Sequence, residues 1–177
     1  MGISAARLRV LASVLTACLY AGAAHATPNN GFGVYLGALS SSDSSLYGTS
    51  HGGLVAVDTQ FMVNDHWSLN PYLLLDTEST DRSFDISTGE GGLQARYWMG
   101  GSIFLAGQLL EHDTLLKQGS TVSSSLYGPG IGLAAGWESD SHWSVTLATN
   151  LYRLAGSYGS SATTRSEAML LIGYHWY

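Results

Sequence analysis

Histidine two residues ahead of serine occurs twice in this chain, as His66-Trp67-Ser68 and as His142-Trp143-Ser144. An imidazole beside a hydroxyl is the core of a base–nucleophile pair, because the ring can take the hydroxyl proton while the oxygen attacks a carbonyl. On an extended strand, positions i and i+2 share a face, so this spacing places both groups on one side of a sheet. No acid stands at a position on the next strand that would orient the imidazole. Both copies also follow a short turn and open a strand, so a repeated architectural unit accounts for them as readily as chemistry does.

Two further clusters have metal-ligand residue types. Glu111-His112-Asp113, with His51, could offer ligands to a divalent cation, but adjacent residues on a strand point to opposite faces and cannot easily converge. A solvated loop is the expectation there. The stretch DTESTDRSFDISTGE, residues 76–90, is rich in carboxylates without the fixed spacing and turn glycine of an EF-hand loop, and reads as a mobile hydrophilic loop. The sequence therefore assigns no catalytic residue, no metal site and no cofactor.

The elements that would position such groups are strands. Period-2 alternation recurs in segments of barrel-strand length. In HWSLNPYLLLD one face is Trp67, Leu69, Pro71, Leu73 and Leu75, and the other is Ser68, Asn70, Tyr72, Leu74 and Asp76. The same two-faced pattern runs through 93–99, 102–109, 143–151 and 170–176. Eight segments result, at roughly 31–40, 50–63, 66–76, 90–99, 102–111, 126–137, 142–152 and 166–177. Minimal connections at Asn64-Asp65, Gly100-Gly101 and Glu138 to Asp140 alternate with longer Ser/Thr/Gly-rich stretches near 40–50, 76–90, 112–124 and 155–166. Short turns alternating with long ones are the loop pattern of an outer-membrane barrel.

Composition agrees with a membrane setting. Hydrophobic residues make up 45% and charged residues only 11%, about half the usual charged share. The first 26 residues carry Arg7 and Arg9, an apolar stretch and the small-x-small sequence Ala24-His25-Ala26, which marks 1–26 as a signal peptide and 27–177 as the mature domain. Leu15-Thr16-Ala17-Cys18 reads as a competing lipobox that would lipidate Cys18. Removal of 1–26 leaves five basic residues against thirteen acidic ones, hence a net charge of −8. That balance lacks the basic footprint of a nucleic-acid partner.

Trp67, Trp98, Trp137, Trp143 and Trp176 all fall beside short turns or at the C-terminus, so all five collect at one end of the barrel as an interfacial girdle. Trp98 lies on the Arg96 face and must either point inward or mark a bulge. SSLYG occurs at 44–48 and 124–128 and HWS at 66–68 and 142–144, each pair four strands apart, which suggests two four-stranded halves. The inward face offers Asp58, Gln60, Asn70, Asp76, Gln94, Arg96, Gln108 and Asn150. Arg96 is the one basic residue placed mid-strand on it. Buried charge requires a partner, so Arg96 is expected to neutralise Asp58 within a structural plug of amides.

The closing residues IGYHWY resemble the C-terminal assembly signal of outer-membrane barrels, with Ile172, Tyr174 and Trp176 alternating and Tyr177 one residue past the usual final aromatic. Signal peptide, eight strands and C-terminus together resemble the small eight-stranded outer-membrane β-barrels of the opacity-protein, OmpX and OmpA-barrel type. The resemblance implies an all-β, antiparallel up-and-down transmembrane barrel in the bacterial outer membrane. It further implies contact with outer-membrane lipid, lipopolysaccharide and the barrel assembly machinery. Arg153, at the outer rim, can pair with lipopolysaccharide phosphates. A scaffold presenting surface loops to an unidentified ligand leads, ahead of a narrow channel. Similar barrels include lipid A deacylases that use a His-x-Ser pair, which makes a lipid A-modifying enzyme the third reading.

Overall fold

In a computed structural model that describes residues 30–43, 48–80, 85–99, 102–118, 121–156 and 162–177, the chain forms eight strands. They are β1 (Gly31–Asp43), β2 (Gly48–Asn64), β3 (Trp67–Thr80), β4 (Asp85–Met99), β5 (Ile103–Gln118), β6 (Thr121–Glu138), β7 (Trp143–Gly156) and β8 (Thr163–Trp176). Each pairs antiparallel with its sequence neighbour, and β8 returns to β1, from Phe32 opposite Trp176 to Asp43 opposite Arg165. Closure pairs every strand on both sides, the condition for a sheet to sit in lipid. The signal sequence with Cys18, the Gly100-Gly101 turn and the first four residues of the 44–48 repeat lie outside the described residues.

At the tryptophan end the strand boundaries match the alternation to within a residue or two. At the opposite end the expected long loops are corrected: most of 76–90 and 112–124 is strand. Strands of 13 to 18 residues exceed the roughly 9–11 that cross a bilayer. The excess projects at the end away from the tryptophans. There the outward positions turn polar, with Ser42, Thr77, Ser79, Glu111, Arg153 and Ser166. Nearer the tryptophans the outward positions are apolar, among them Leu36, Leu93, Leu105, Leu133, Leu147 and Ile172. In the projecting part the outer face is largely polar and the inner face mixes charged with apolar residues, so the hydrophobic period that announces a strand weakens while the strand continues.

The interior is packed in layers. Starting at the tryptophan end, a polar layer around Arg96 is followed by an apolar layer including Leu39, Leu54, Leu74, Leu110, Met169 and Leu171. A second polar layer then contains Glu78, Glu90, His112, Arg165 and Glu167, and Ile86, Leu116, Leu126 and Leu154 close it from above. Glycines on β6 make room for the large side chains of β7. A Cβ at Gly130 would lie 2.3 Å from the Tyr152 ring, so this position admits no larger residue while Tyr152 points inward.

Candidate functional site

The first polar layer is built from alternate residues of β1, β2, β3 and β4. Arg96 Nη2 lies 2.5 Å from Asp58 Oδ2, with both side chains buried. The same Nη2 donates to the Tyr35 hydroxyl at 3.1 Å, and that hydroxyl donates to Asp58 Oδ2 at 2.9 Å. Arg96 Nη1 donates to Gln60 Oε1 at 3.4 Å, and Arg96 Nε donates to Gln94 Oε1. Asn70 Nδ2 donates to Asp58 Oδ2 at 3.3 Å and to Gln60 Oε1 at 3.5 Å. The guanidinium carbon stands 4.8 Å above the Phe104 ring, so an apolar and π surface covers what hydrogen bonds do not. Gln108 is buried nearby, but among the described residues no hydrogen bond ties it to this set.

Of the second polar layer, sequence reasoning placed only Asp76 and Asn150 inward and missed the rest. Arg165 is a second inward, buried cation, correcting the placement of Arg96 as the one basic residue on that face. Its Nη2 donates to Glu78 Oε1 and its Nε to Glu167 Oε1, the latter at 2.7 Å. Glu78 Oε2 also accepts from Ser41 at 2.6 Å and Ser50 at 2.7 Å. Glu90 accepts from the Tyr72 hydroxyl at 2.7 Å and from the Tyr152 hydroxyl. Asn150 Nδ2 donates to Tyr152 at 2.7 Å. Far from being in a solvated loop, His112 is fully buried on β5, its ring 4.3 Å from that of Tyr152. Glu111 and Asp113 alternate to the outer face, and His51 is outside the barrel. Glu78 and Glu90, expected in a mobile loop, are buried strand residues, whereas Asp76 is buried on the inward strand face where the sequence placed it. A readable signal existed: Asp76/Glu78, His112/Thr114 and Arg165/Glu167 each continue the inward phase of their own strand.

The His-x-Ser pairs do not assemble. Ser68 and Ser144 point inward and are buried, whereas His66 is exposed in the turn before β3. His142 sits in the turn before β7 with φ 69° and packs its ring against Tyr174 and Tyr177. The shared face requires a strand conformation at the histidine, and at both copies the strand starts one residue later.

The tryptophan set divides. Trp67, Trp137, Trp143 and Trp176 face outward with 46%, 47%, 54% and 53% exposure. Trp98 is only 7% exposed and donates its indole N–H to Ser68 Oγ at 3.2 Å, so it fills the lumen and is not part of the girdle. Tyr97 takes the outward place beside Trp67, ring centroids 5.0 Å apart. At the C-terminus Ile172 and Trp176 face outward, Tyr174 lies edge-on to Trp143 and Trp176, and the Tyr177 hydroxyl donates to Glu138 across the barrel mouth.

Between the two polar layers remains a cavity of about 40 Å³, bordered by Tyr35, Asp58, Tyr72, Arg96, Gln108 and Met169. Such a space holds on the order of one or two waters.

No protein-family model matches the chain. Cytochrome c oxidase subunit 3 of Corynebacterium diphtheriae is 25% identical over 122 residues, covering 65% of this chain and 60% of that protein. The chain thus spans about 60% of the length of this relative, and the likeness establishes no family. Solved structures are more informative. Neisserial surface protein A superposes with a TM-score of 0.60 at 13% identity, over 82% of this chain and 96% of that one. Ail, the attachment invasion locus protein of Yersinia pestis, gives 0.59 at 11% identity, over 83% and 99%. The outer-membrane enzyme PagL gives 0.56 at 10% identity, over 79% and 98%. At such identities these likenesses speak to fold alone. Closure of eight antiparallel strands, the outward apolar band and these superpositions agree that the chain has the fold of a small eight-stranded outer-membrane β-barrel.

Proposed function

We propose that the protein is a rigid, non-conducting scaffold of the bacterial outer membrane that presents its projecting strand ends and their connections to an envelope or host partner. The observation that carries this reading is the filled lumen. Two hydrogen-bonded polar layers and the apolar layer between them occupy the interior, and the cavity between the layers measures only about 40 Å³, which favours a plug over a channel. Single-channel recording in planar bilayers tests it: the refolded barrel should add no conductance steps, and reproducible steps would favour the channel.

Membrane lipid is the partner of the apolar band. Arg153, outward at the polar rim, suits lipopolysaccharide phosphates, while Ile172, Tyr174, Trp176 and Tyr177 suit recognition by the barrel assembly machinery. Trp176→Asp combined with Tyr177→Asp should greatly lower surface yield, measured by heat-modifiable band intensity in outer-membrane fractions. Normal yield would remove the C-terminal signal from this reading. Ail has been solved with a heparin analogue, sucrose octasulfate. The rim of this chain carries Asp85, Glu111 and Asp113 against Lys117 and Arg153 among the described residues, a balance that does not favour a polysulfated ligand.

PagL has a similar fold and is an enzyme. For this chain we favour a non-catalytic role, because the histidine and serine of each His-x-Ser copy are held apart. Expression in a host of defined lipid A, followed by mass spectrometry, should show no loss or gain of an acyl chain.

A further inference from the structure

The second polar layer is not electrically balanced by the side chains that form it. Among the described residues Asp76, Glu78, Glu90 and Glu167 are all buried there, against the single guanidinium of Arg165 and the imidazole of His112. Arg165 is engaged by Glu78 and Glu167. The hydrogen bonds to Glu90 among the described residues come from neutral tyrosine hydroxyls. Buried carboxylates without countercharge are costly enough that such a site takes up a proton or a cation.

His112 indicates which. Its Nδ1 is completely buried and has no hydrogen-bond partner among the described residues, yet it aims at Glu90 Oε2, 3.6 Å away, and at Glu167 Oε1, 4.0 Å away. One ligand atom from each of Glu90, His112 and Glu167 lies within 4.8 Å of the other two. Three ligands on a tetrahedral zinc ion at about 2.0–2.1 Å would stand about 3.4 Å apart. The three atoms therefore need to close by roughly an ångström or less on average to reach that separation. The surroundings supply the orienting contacts a metal site requires. Thr114 Oγ1 lies 2.6 Å from His112 Nε2, so an Nε2–H donating to it leaves the Nδ1 lone pair aimed at the carboxylates. Tyr72 fixes the other oxygen of Glu90, and the two ligand oxygens themselves accept hydrogen bonds that hold them in place, Glu90 Oε2 from the Tyr152 hydroxyl and Glu167 Oε1 from Arg165 Nε.

We propose that Glu90, His112 and Glu167 bind one divalent transition-metal ion inside the barrel, and that the ion is zinc. One imidazole nitrogen with two carboxylate oxygens suits zinc, whereas calcium and magnesium seek six or more oxygens or an octahedral shell with several waters. The ion supplies two positive charges to the layer that lacks them. Ile86, Leu116, Leu126 and Leu154 cover the site from above and Leu74, Leu110 and Met169 lie beneath it, so the ion enters as the barrel closes. Metal binding is thereby coupled to folding. The ion is a structural staple of the projecting part of the barrel and takes part in no reaction.

The test refolds the chain from denaturant into detergent micelles with equimolar zinc, removes loose metal by gel filtration over chelator, and counts zinc per folded chain by elemental analysis. The unaltered chain should retain close to one zinc, and His112→Gln and Glu90→Gln should each retain at least tenfold less. Glu111→Gln, on the outer face one residue from His112, should retain as much as the unaltered chain. Each sample is first shown to be folded by its faster gel migration before boiling. Because His112→Gln could fail to fold, cobalt(II) is substituted in the unaltered chain, where tetrahedral coordination gives strong visible absorption that zinc then quenches. Zinc supplied only after folding should be taken up at least tenfold more slowly than zinc present during it. Folded chain that retains no zinc and gives no cobalt spectrum would overturn the proposal and leave protons as the neutralising species. Retention in His112→Gln and Glu90→Gln equal to that of the unaltered chain would likewise overturn it.

Discussion

The two polar layers of the lumen use similar residues to opposite effect. Around Arg96, one guanidinium meets one carboxylate at 2.5 Å, and the remaining donors go to Tyr35, Gln60 and Gln94. Around His112, among the described residues, four carboxylates face one guanidinium and one imidazole, and His112 Nδ1 makes no hydrogen bond. A balanced network stabilises only while all its members remain, since the partner left behind is a buried unpaired charge. An unbalanced one can lose an acid without harm, and has a use for an added cation. The difference separates a structural plug from a candidate binding site within one barrel.

The sharpest way to break this contrast is at Arg96. Arg96→Ala leaves Asp58 buried and uncompensated and should cost about 3–5 kcal/mol, read by urea unfolding from micelles. Adding Asp58→Asn should recover much of the loss, because an amide can bond to Asn70 and Gln60 without a cation. Additive losses with no recovery would show that the two residues are not energetically coupled.

Trp98 and Trp143 carry the comparison to the barrel wall. Trp98→Ala opens a hole beside Phe104, whose ring is 5.1 Å from the indole, and removes the N–H that Ser68 Oγ accepts; about 3–5 kcal/mol is expected. Trp143→Ala removes an outward indole that is 54% exposed and should cost clearly less in the same assay. Equal losses would mean that Trp98 does not fill the lumen.

In the His112 layer the expected sign reverses. Without metal, Glu90→Gln removes one surplus buried charge while its oxygen still accepts from Tyr72, so stability should hold or rise by up to about 1 kcal/mol. Asp58→Asn alone should fall by several times that amount. If both lower stability alike, the layers do not differ in charge balance. The smallest effect belongs to Arg153→Ser on the outer rim, which should leave unfolding within about 0.5 kcal/mol and alter only adsorption to lipopolysaccharide.

Much of the architecture was legible in the residues themselves. Where one strand face meets lipid, alternation is strong, so Leu69, Leu93, Leu105, Leu147 and Ile172 announced both the strands and their phase. Asp58 and Arg96 were legible as partners because both stand mid-strand on the inward face, where charge must be matched. The projecting ends were not, because above the bilayer the outer face is largely polar and the inner face mixes charged with apolar residues, and so weak an alternation reads as loop. For that reason Glu78, Glu90, His112, Arg165 and Glu167 escaped. Trp98 was legible in part: its place beside a turn suited the girdle, while its phase with Arg96 offered an inward orientation or a bulge, and the inward orientation is the one found.

The sequence by itself determined the eight strands, their antiparallel order and the apolar band, because period-2 patterning and turn chemistry are local properties. Only the tertiary structure decided how far the strands continue and which inward groups meet across the lumen. Glu90 and Glu167 are 77 positions apart on strands that do not pair with each other, and they come together with His112 because the sheet closes. Strand phase tells each side chain that it faces inward. Barrel closure and stagger, which no single strand encodes, set what it finds there.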